Sequence, residues 1–440
     1  MRAPQKGSDN RTPTPEFSTF IERLVESANM TRAYRQVMSN KGGPGIDGMT
    51  VEELGPYLQR YWPEIKSRLL DGSYKPSGVR AVQTPKPKGG YRELGIPTVL
   101  DRLIQQALHQ ILNPLFDPSF SSSSYGFRPG HNAHEAIKQA RDHQRTGHRW
   151  VVDVDLEKFF DQVNHDVLIT RIRDRMNDKH ILRLIRRYLE TGVMVGGIVS
   201  RREKGTPQGS PLSPLLSNIM LDQLDKELER RGHKFCRYAD DIVVYVKSKR
   251  AGERVLDSLT SYVELKLRLK VNRSKSAVSR PWTRTFLGYS FTRHQDTRLR
   301  VPQEIQQRFR RKLKALFRQG RGRNVQRFIN ETLNPVLRGW IHYFRLSDTK
   351  GFAEDLDSWI RRRLRTILWR QWKKPRTRRA RLLSAGLSEE RATQSASNGR
   401  GPWWNAGASH MNQAYKKNYF TSLGLVSMLE ILIRFRNYCI

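Results

Sequence analysis

Asp240 and Asp241 stand side by side inside a β-forming, largely apolar stretch, Phe235 to Val246. The pattern reads as strand, turn, strand, with the acids at the turn. Two adjacent carboxylates there are costly unless a cation neutralises them. Taken alone, the pair is equally a solvated hairpin turn, because Asp favours turns. A third acid changes the balance. Trp150 to Leu156 alternates as a strand, so Asp153 and Asp155 share one face and Val152, Val154 and Leu156 the other. Should Asp155 meet the 240–241 pair, three carboxylates would suit two Mg²⁺ ions roughly 3.5–4 Å apart. One would activate a hydroxyl nucleophile and the other would stabilise a leaving pyrophosphate.

Other segments could serve the same chemistry. Gly205-Thr206-Pro207-Gln208-Gly209-Ser210-Pro211 holds backbone close to a ligand and opens directly into a helix, Leu215 to Leu228. Gln208 could lie across a nucleotide's sugar or base; the plainer reading is a loop before a helix cap. Lys86 and Arg92 flank a basic hairpin tip, and two cations so placed suit a triphosphate. On its own that tip is more simply a solvated charged turn. Phe160 lies five residues past Asp155, where an aromatic ring could wall off a sugar 2′ position. Of Phe159 and Phe160, one is expected in the core.

The charge points to the partner. Among 440 residues, 80 Lys and Arg face 42 Asp and Glu, a net charge of +38. Such an excess repels itself unless a polyanion neutralises it, and nucleic acid is the first candidate, membrane phosphate the competitor. An ordinary small-molecule enzyme is not expected. The only cysteines are Cys236 and Cys439, which excludes a disulfide framework and a Cys-built zinc module and fits a reducing cytoplasmic compartment. His131-x-x-His134 has no further ligands nearby, and no P-loop or Gly-x-Ser-x-Gly elbow occurs. The first 15 residues read as a disordered polar leader without a signal sequence, and the apolar run Leu423 to Ile433 is too short to span a bilayer.

The elements that must position these residues follow from periodicity. Phe17 to Tyr34 has helical spacing, Thr50-Val51-Glu52-Glu53 reads as a capping box, and Val79–Val82 with Arg92–Ile96 forms a hairpin. Leu100 to Leu112 is an amphipathic helix, and helices fill 165–190 and 212–231 between the acid-bearing strands. From Arg300 to Arg381 there are 24 basic against 6 acidic residues. Three amphipathic helices fit there, at about 302–319, 324–345 and 352–373, suggesting a separate helical domain. Residues 382–440, with Gly401-Pro402-Trp403-Trp404, read as loop-rich.

Taken in order, several segments resemble one family. They are Pro85-Lys86-Pro87 to Ile96-Pro97, Ser124-Tyr125-Gly126-Phe127-Arg128-Pro129-Gly130, Asp153-Val154-Asp155 to Phe160, and Thr206-Pro207-Gln208-Gly209. Tyr238-Ala239-Asp240-Asp241, Leu269-Lys270-Val271-Asn272 to Lys275-Ser276, and Phe286-Leu287-Gly288 complete the series. The chain is similar to bacterial group II intron-encoded reverse transcriptases (maturases), of the endonuclease-lacking, group IIC-like kind. The resemblance implies an α+β right-hand polymerase, with fingers and palm built on antiparallel sheet and helices, followed by an α-helical thumb or X domain. The corresponding division is a leader to 16, an N-terminal extension over 17–75, fingers and palm over 76–299, thumb over 300–381, and a small basic DNA-binding-like segment over 382–440.

By the same resemblance Asp155, Asp240 and Asp241 are the catalytic metal-binding acids, with the Leu156 carbonyl assisting. Two Mg²⁺ ions, replaceable by Mn²⁺, are the implied cofactor. Lys86 and Arg92 would hold dNTP phosphates, Phe160 would gate the sugar, Gln208 would contact the dNTP and Lys275 would approach the site. Arg128 would touch the template, and Arg361, Arg362 and Arg363 would grip nucleic acid. Intron RNA, an RNA template with a DNA primer, target DNA and dNTPs are the implied partners, with no membrane. Ser210 stands where the family more often carries Gly, and no endonuclease is expected, since His and Cys are too few. The implied activity is RNA-directed DNA synthesis with splicing assistance and retrohoming. Three alternatives remain open: a related enzyme without an intron acting in DNA repair or phage defence, a non-enzymatic splicing factor, and an RNA-dependent RNA polymerase, which the bulk of Phe160 disfavours.

Overall fold

The computed structural model describes residues 19–85, 89–195, 198–200, 204–205, 209–294 and 296–437. The chain divides into two compact units at Ser279/Arg280.

The first unit begins with α1 (Phe20–Val25) and α2 (Ser27–Asn40). Thr19 and Glu22 cap α1 reciprocally, and the backbone turns extended at Glu26, so the single helix expected there is two. α3 (Leu54–Leu70) follows with Glu53 at its N-cap; the Glu53 carboxylate accepts from Thr50 N at 2.8 Å, one of the two bonds of the expected capping box. The hairpin of β1 (Val79–Pro85) and β2 (Tyr91–Ile96) leads to α4 (Val99–Phe116). The apolar stripe of α4, including Leu103, Ile104, Ala107, Leu108 and Leu112, is buried. Next come α5 (Ala133–Arg145), β3 (Trp150–Val154), α6 (Phe159–Gln162), α7 (His165–Arg173) and α8 (Lys179–Glu190). β4 (Val193–Val195), β5 (Ile198–Ser200), α9 (Ser213–Arg230), β6 (Lys234–Tyr238), β7 (Asp241–Val246), α10 (Lys249–Lys266) and β8 (Ala277–Ser279) complete it.

Two four-stranded sheets result, ordered β2-β1-β4-β5 and β6-β7-β3-β8. The second is antiparallel throughout, with Asp153 opposite Val243 and Val154 opposite Ile242. Val152, Val154, Ile242 and Val244 belong to one buried apolar cluster with Leu216, Ile219, Leu259 and Val263 of α9 and α10. The opposite face is covered as well, with Val151, Val243 and Tyr245 buried, so Asp155 and Asp241 reach solvent only where β3 and β7 end.

The second unit comprises β9 (Ser290–Phe291), β10 (Leu299–Arg300), α11 (Gln303–Gln319) and α12 (Val325–Phe328). A π-helical turn at Ile329–Leu333 leads into α13 (Asn334–Tyr343) and α14 (Lys350–Gln371). Six shorter helices follow: α15 (Pro375–Ser384), α16 (Glu389–Ala396), α17 (Pro402–Gly407), α18 (Ser409–Ala414), α19 (Lys417–Ser422) and α20 (Met428–Asn437). Two expectations need correcting. The compact boundary lies about twenty residues earlier than 299/300, because the 286–300 stretch is tied to the helices after it. Tyr343 Oη donates to Leu287 O at 2.8 Å, and Asp348 N donates to Leu299 O at 2.7 Å. The 382–440 segment is helical rather than loop-rich, and it is no appendage. Met411, Tyr415, Phe420, Met428 and Leu432 are buried in the same cluster as Trp369 and Trp372. Gly401-Pro402 opens α17, with Pro at its first turn, where the missing N–H costs nothing.

Candidate active site

The β6–β7 hairpin pairs Tyr238 with Asp241, leaving Ala239 and Asp240 as its two-residue loop. Ala239 sits at φ +56, a left-handed conformation that costs an alanine of order 1–3 kcal/mol and persists only when its surroundings impose it. Those surroundings include Gly126. A Cβ there would lie 2.9 Å from Tyr238 C and nearer still to Ala239 N, so only glycine lets the 124–128 loop press on the turn.

Asp155 follows β3 directly. The pairing ends at Val154–Ile242, and the next residues of the two strands are Asp155 and Asp241. Beyond the strand, Asn272 N donates to Asp155 O (2.8 Å) and Glu157 N to Lys270 O (2.8 Å). These bonds flank the Leu156–Val271 pair, so the Leu156 carbonyl turns away from Val271, toward the side on which β7 runs. Asp155 N donates to Ser276 Oγ at 3.0 Å, and Lys275 Nζ stands 3.8 Å from Asp155 Oδ1.

Asp241 feels its neighbours. Loss of hydration, then repulsion by Asp240, Asp153 and Asp155, pushes its carboxyl up to about 6. The side chain still opens to solvent, so like-charge repulsion, which needs no burial, is the cause that carries the direction. Among the described residues no three His, Cys, Asp or Glu side chains are drawn into a single coordination shell. The three expected acids thus lie at neighbouring strand ends without forming one coordination shell, and Lys275 stands beside Asp155. Hard oxygen donors whose charges already oppose one another fit a hard divalent cation.

Phe159 is buried in the core, whereas Phe160 is half-exposed, its ring 5.2 Å from that of Phe159 at 70°. Lys158, at φ +44, turns the chain into α6 and so aims the pair. Gly205, at φ +91, packs so closely that a Cβ would come within 2.7 Å of Phe160 O, and its N–H donates to Val163 O at 2.9 Å. At the other end of that loop a Cβ on Gly209 would meet Gly95 O of β2 at 3.1 Å. The Ser210 hydroxyl bonds Gln105 of α4, a tie that glycine at this position would lack. Gly205 thus abuts the Phe160 turn, and Gly209 abuts β2. Lys86 and Gln208 lie outside the described residues, as does the Arg92 side chain; the Arg92 backbone pairs with Thr84.

One expectation about the arginines fails. Arg128 is no template contact: its side chain is 7% exposed, and its guanidinium is consumed by Asp117 Oδ1 (2.8 Å), Asp117 O (3.0 Å), Ser121 O (2.7 Å) and Ser124 O (2.8 Å). Arg362 and Arg363 are half-exposed and lie over Trp403, at 4.1 and 4.5 Å, and Arg362 donates to Trp403 O at 3.2 Å. Arg361 is half-exposed. Conversely, the sequence reading passed over Arg237, which is fully buried beside the acid turn. The signal was there: a cation inside an apolar strand is as costly as the two acids.

A family model described as reverse transcriptase (RNA-dependent DNA polymerase) matches residues 84–291, and one described as group II intron, maturase-specific domain, matches 306–385. Protein YkfC of Escherichia coli is 31% identical, over 60% of this chain and 80% of its own length. The chain belongs to the group II intron reverse transcriptase–maturase family. The group II intron-encoded protein LtrA of Lactococcus lactis is 28% identical over 62% of this reverse transcriptase but only 56% of its own length. A partial Cas6-RT-Cas1--Cas2 complex overlays with a TM-score of 0.38 at 25% identity, covering 57% of this chain and 43% of that one. The polymerase match spans both acid-bearing strands, and the maturase match covers α11 to α15. Reverse transcriptases generally use divalent metal ions. No helix among the described residues is long and apolar enough to cross a membrane.

Proposed function

We propose that this reverse transcriptase extends a primer 3′-hydroxyl with dNTPs on an RNA template and assists the splicing and retrohoming of a group II intron. The reading rests above all on the β3–β7 pairing, whose last pair, Val154–Ile242, leads directly into Asp155 and Asp241, with the Asp241 carboxyl raised by loss of hydration and then by its acidic neighbours. Asp155, Asp240, Asp241 and the Leu156 carbonyl would hold two Mg²⁺ ions, or Mn²⁺ in their place. Those ions supply charge neutralisation at the α-phosphate and lower the pKa of the primer hydroxyl. The 3′-oxygen attacks the α-phosphorus in line, a new P–O bond forms, and the bond to the bridging oxygen breaks to release pyrophosphate.

The chain's own residues do the rest. Lys275, close to Asp155, offers a movable cation to the incoming phosphates. Phe160, half-exposed beside Phe159 and the Gly205 turn, would gate the sugar by excluding a ribose 2′-hydroxyl. Lys86, Arg92 and Gln208 complete the dNTP contacts. The basic helices of the second unit, Arg361 among their cations, take intron RNA, template–primer and target DNA through phosphate contacts that carry no sequence information. Splicing assistance is supported by the maturase-specific match.

Primer extension on an RNA template with Mg²⁺ and dNTPs tests the reading. Asp240→Ala and Asp241→Ala should each abolish synthesis while RNA affinity stays within about twofold. Retained synthesis in either variant refutes the assignment. A folded ribozyme in the flanking DNA distinguishes an intron enzyme from a free-standing relative.

A further inference from the structure

A fully enclosed ion pair lies beside the acid turn. Arg237, the residue before Tyr238, is 0% exposed, and so is its partner Asp225 of α9. Arg237 Nε reaches both Asp225 oxygens at 2.8 and 3.0 Å, and Nη2 reaches Oδ2 at 2.5 Å. A pair satisfied in this way needs nothing further, yet the guanidinium does more. Its Nη1 donates to Ala239 O at 3.0 Å and to Asn218 Oδ1 at 2.9 Å. Asn218, also fully buried on α9, donates onward to Gly126 O at 2.9 Å. The main chain of Arg237 closes the circuit, its N–H on Ser123 O (2.8 Å) and its carbonyl on Tyr125 N (2.9 Å).

Three parts of the site therefore meet at one guanidinium. They are the acid turn, through Ala239; the 121–128 loop, through Asn218 and the backbone; and α9, whose N-terminal end emerges from the Gly209–Ser210 loop. The Ala239 carbonyl belongs to the one loop residue in a left-handed conformation, and the peptide it closes carries Asp240. A planar fork with fixed donor directions can hold that carbonyl, a carboxylate and an amide simultaneously. Lysine could keep the charge but not the three directions. Asp225 cancels the arginine's charge, so the device sets geometry without competing with a cation for the acids.

We propose that Arg237, oriented by Asp225 and Asn218, is the positioning residue for the Asp240–Asp241 pair. It fixes the hairpin loop in the conformation that presents both carboxylates to divalent ions. It is not a catalytic residue, since it reaches only protein groups. The proposal rests on the metal-binding role given above to Asp240 and Asp241.

Mn²⁺ binding by electron paramagnetic resonance, alongside single-turnover primer extension, tests it in the full chain. Arg237→Lys should remain folded, bind RNA as the parent does, weaken Mn²⁺ binding at least fivefold, and lower kcat at least tenfold with the KM for dNTP within twofold. Asn218→Ala, which leaves the ion pair intact, should move the same two quantities in the same direction to a lesser extent. It carries the test alone if Arg237→Lys does not fold. Unchanged Mn²⁺ affinity and kcat in a folded variant overturn the proposal, as does a loss confined to thermal stability. Asp240→Ala serves as the reference. If it binds Mn²⁺ and synthesises DNA like the parent, the metal reading of the acids has failed, whatever the Arg237 variants do.

Discussion

Replacing Gly126 with alanine would drive a methyl group into the backbone of the acid turn. The added Cβ would lie 2.9 Å from Tyr238 C and 3.2 Å from Ala239 Cα, and closer to Ala239 N. Ordinary contacts of this kind need 3.4 Å or more, so something must move by close to 1 Å, and neither side is a flexible side chain. Overpacking of this kind costs about 1–3 kcal/mol. Breaking the Asn218–Gly126 hydrogen bond adds about 1 kcal/mol. Unfolding free energy should thus fall by about 2–4 kcal/mol, while a displacement of about 1 Å at the reacting groups costs activity on the order of a hundredfold. Thermal unfolding and single-turnover primer extension measure the two effects. Gly339→Ala is the control: it lies within α13, a Cβ there meets nothing within 4 Å, and the change should leave synthesis intact and stabilise by about 0.5–1 kcal/mol. A Gly126→Ala enzyme with kcat within twofold of the parent would refute the claim that this contact sets the turn.

Phe160→Ala should raise ribonucleotide incorporation relative to deoxyribonucleotide by about tenfold to a hundredfold, since an apolar wall rejects one hydroxyl by about that much; competition assays with mixed nucleotides would read it, and unchanged selectivity would remove the gate. Arg128→Ala should cost about 2–4 kcal/mol of stability by orphaning the Asp117 carboxylate and the Ser124 carbonyl, while the salt dependence of RNA binding stays as it was. Asp222, pushed up to about 6 by loss of hydration, binds its proton more tightly folded than unfolded. Its contribution to stability is therefore present at low pH and is lost as pH rises from about 4 through 6. Asp222→Asn should flatten that window and stabilise the protein at pH 7 by up to about 3 kcal/mol, measured by denaturant unfolding across pH. RNA affinity should fall steeply between low and moderate salt, with a log–log slope set by the number of phosphate contacts.

The acid geometry was legible because a strand has a period of two. Once Val152, Val154 and Leu156 were assigned to the core, Asp153 and Asp155 had only the other face. The hairpin about 239–240 and the three long helices of the second unit followed from similarly strong periodicities. The arginines were not legible. Arg128 looks like a solvated cation in sequence, and what spends its donors is Asp117 eleven residues away with the carbonyls of Ser121 and Ser124. The helices after residue 382 escaped for a different reason. Most are of six to ten residues, too short to show a stripe or to stand without tertiary packing.

The interlocked packing of α18 to α20 with Trp369 and Trp372 bears on how this protein can be cut. A fragment ending near residue 385, where the recognised maturase sequence stops, would strip the cover from two tryptophans and leave a raw apolar flank on α14. Such a piece would tend to aggregate rather than act as a smaller RNA-binding module. The weakly patterned tail is best regarded as the thumb's missing wall, and its sequence is free to drift only where it faces water.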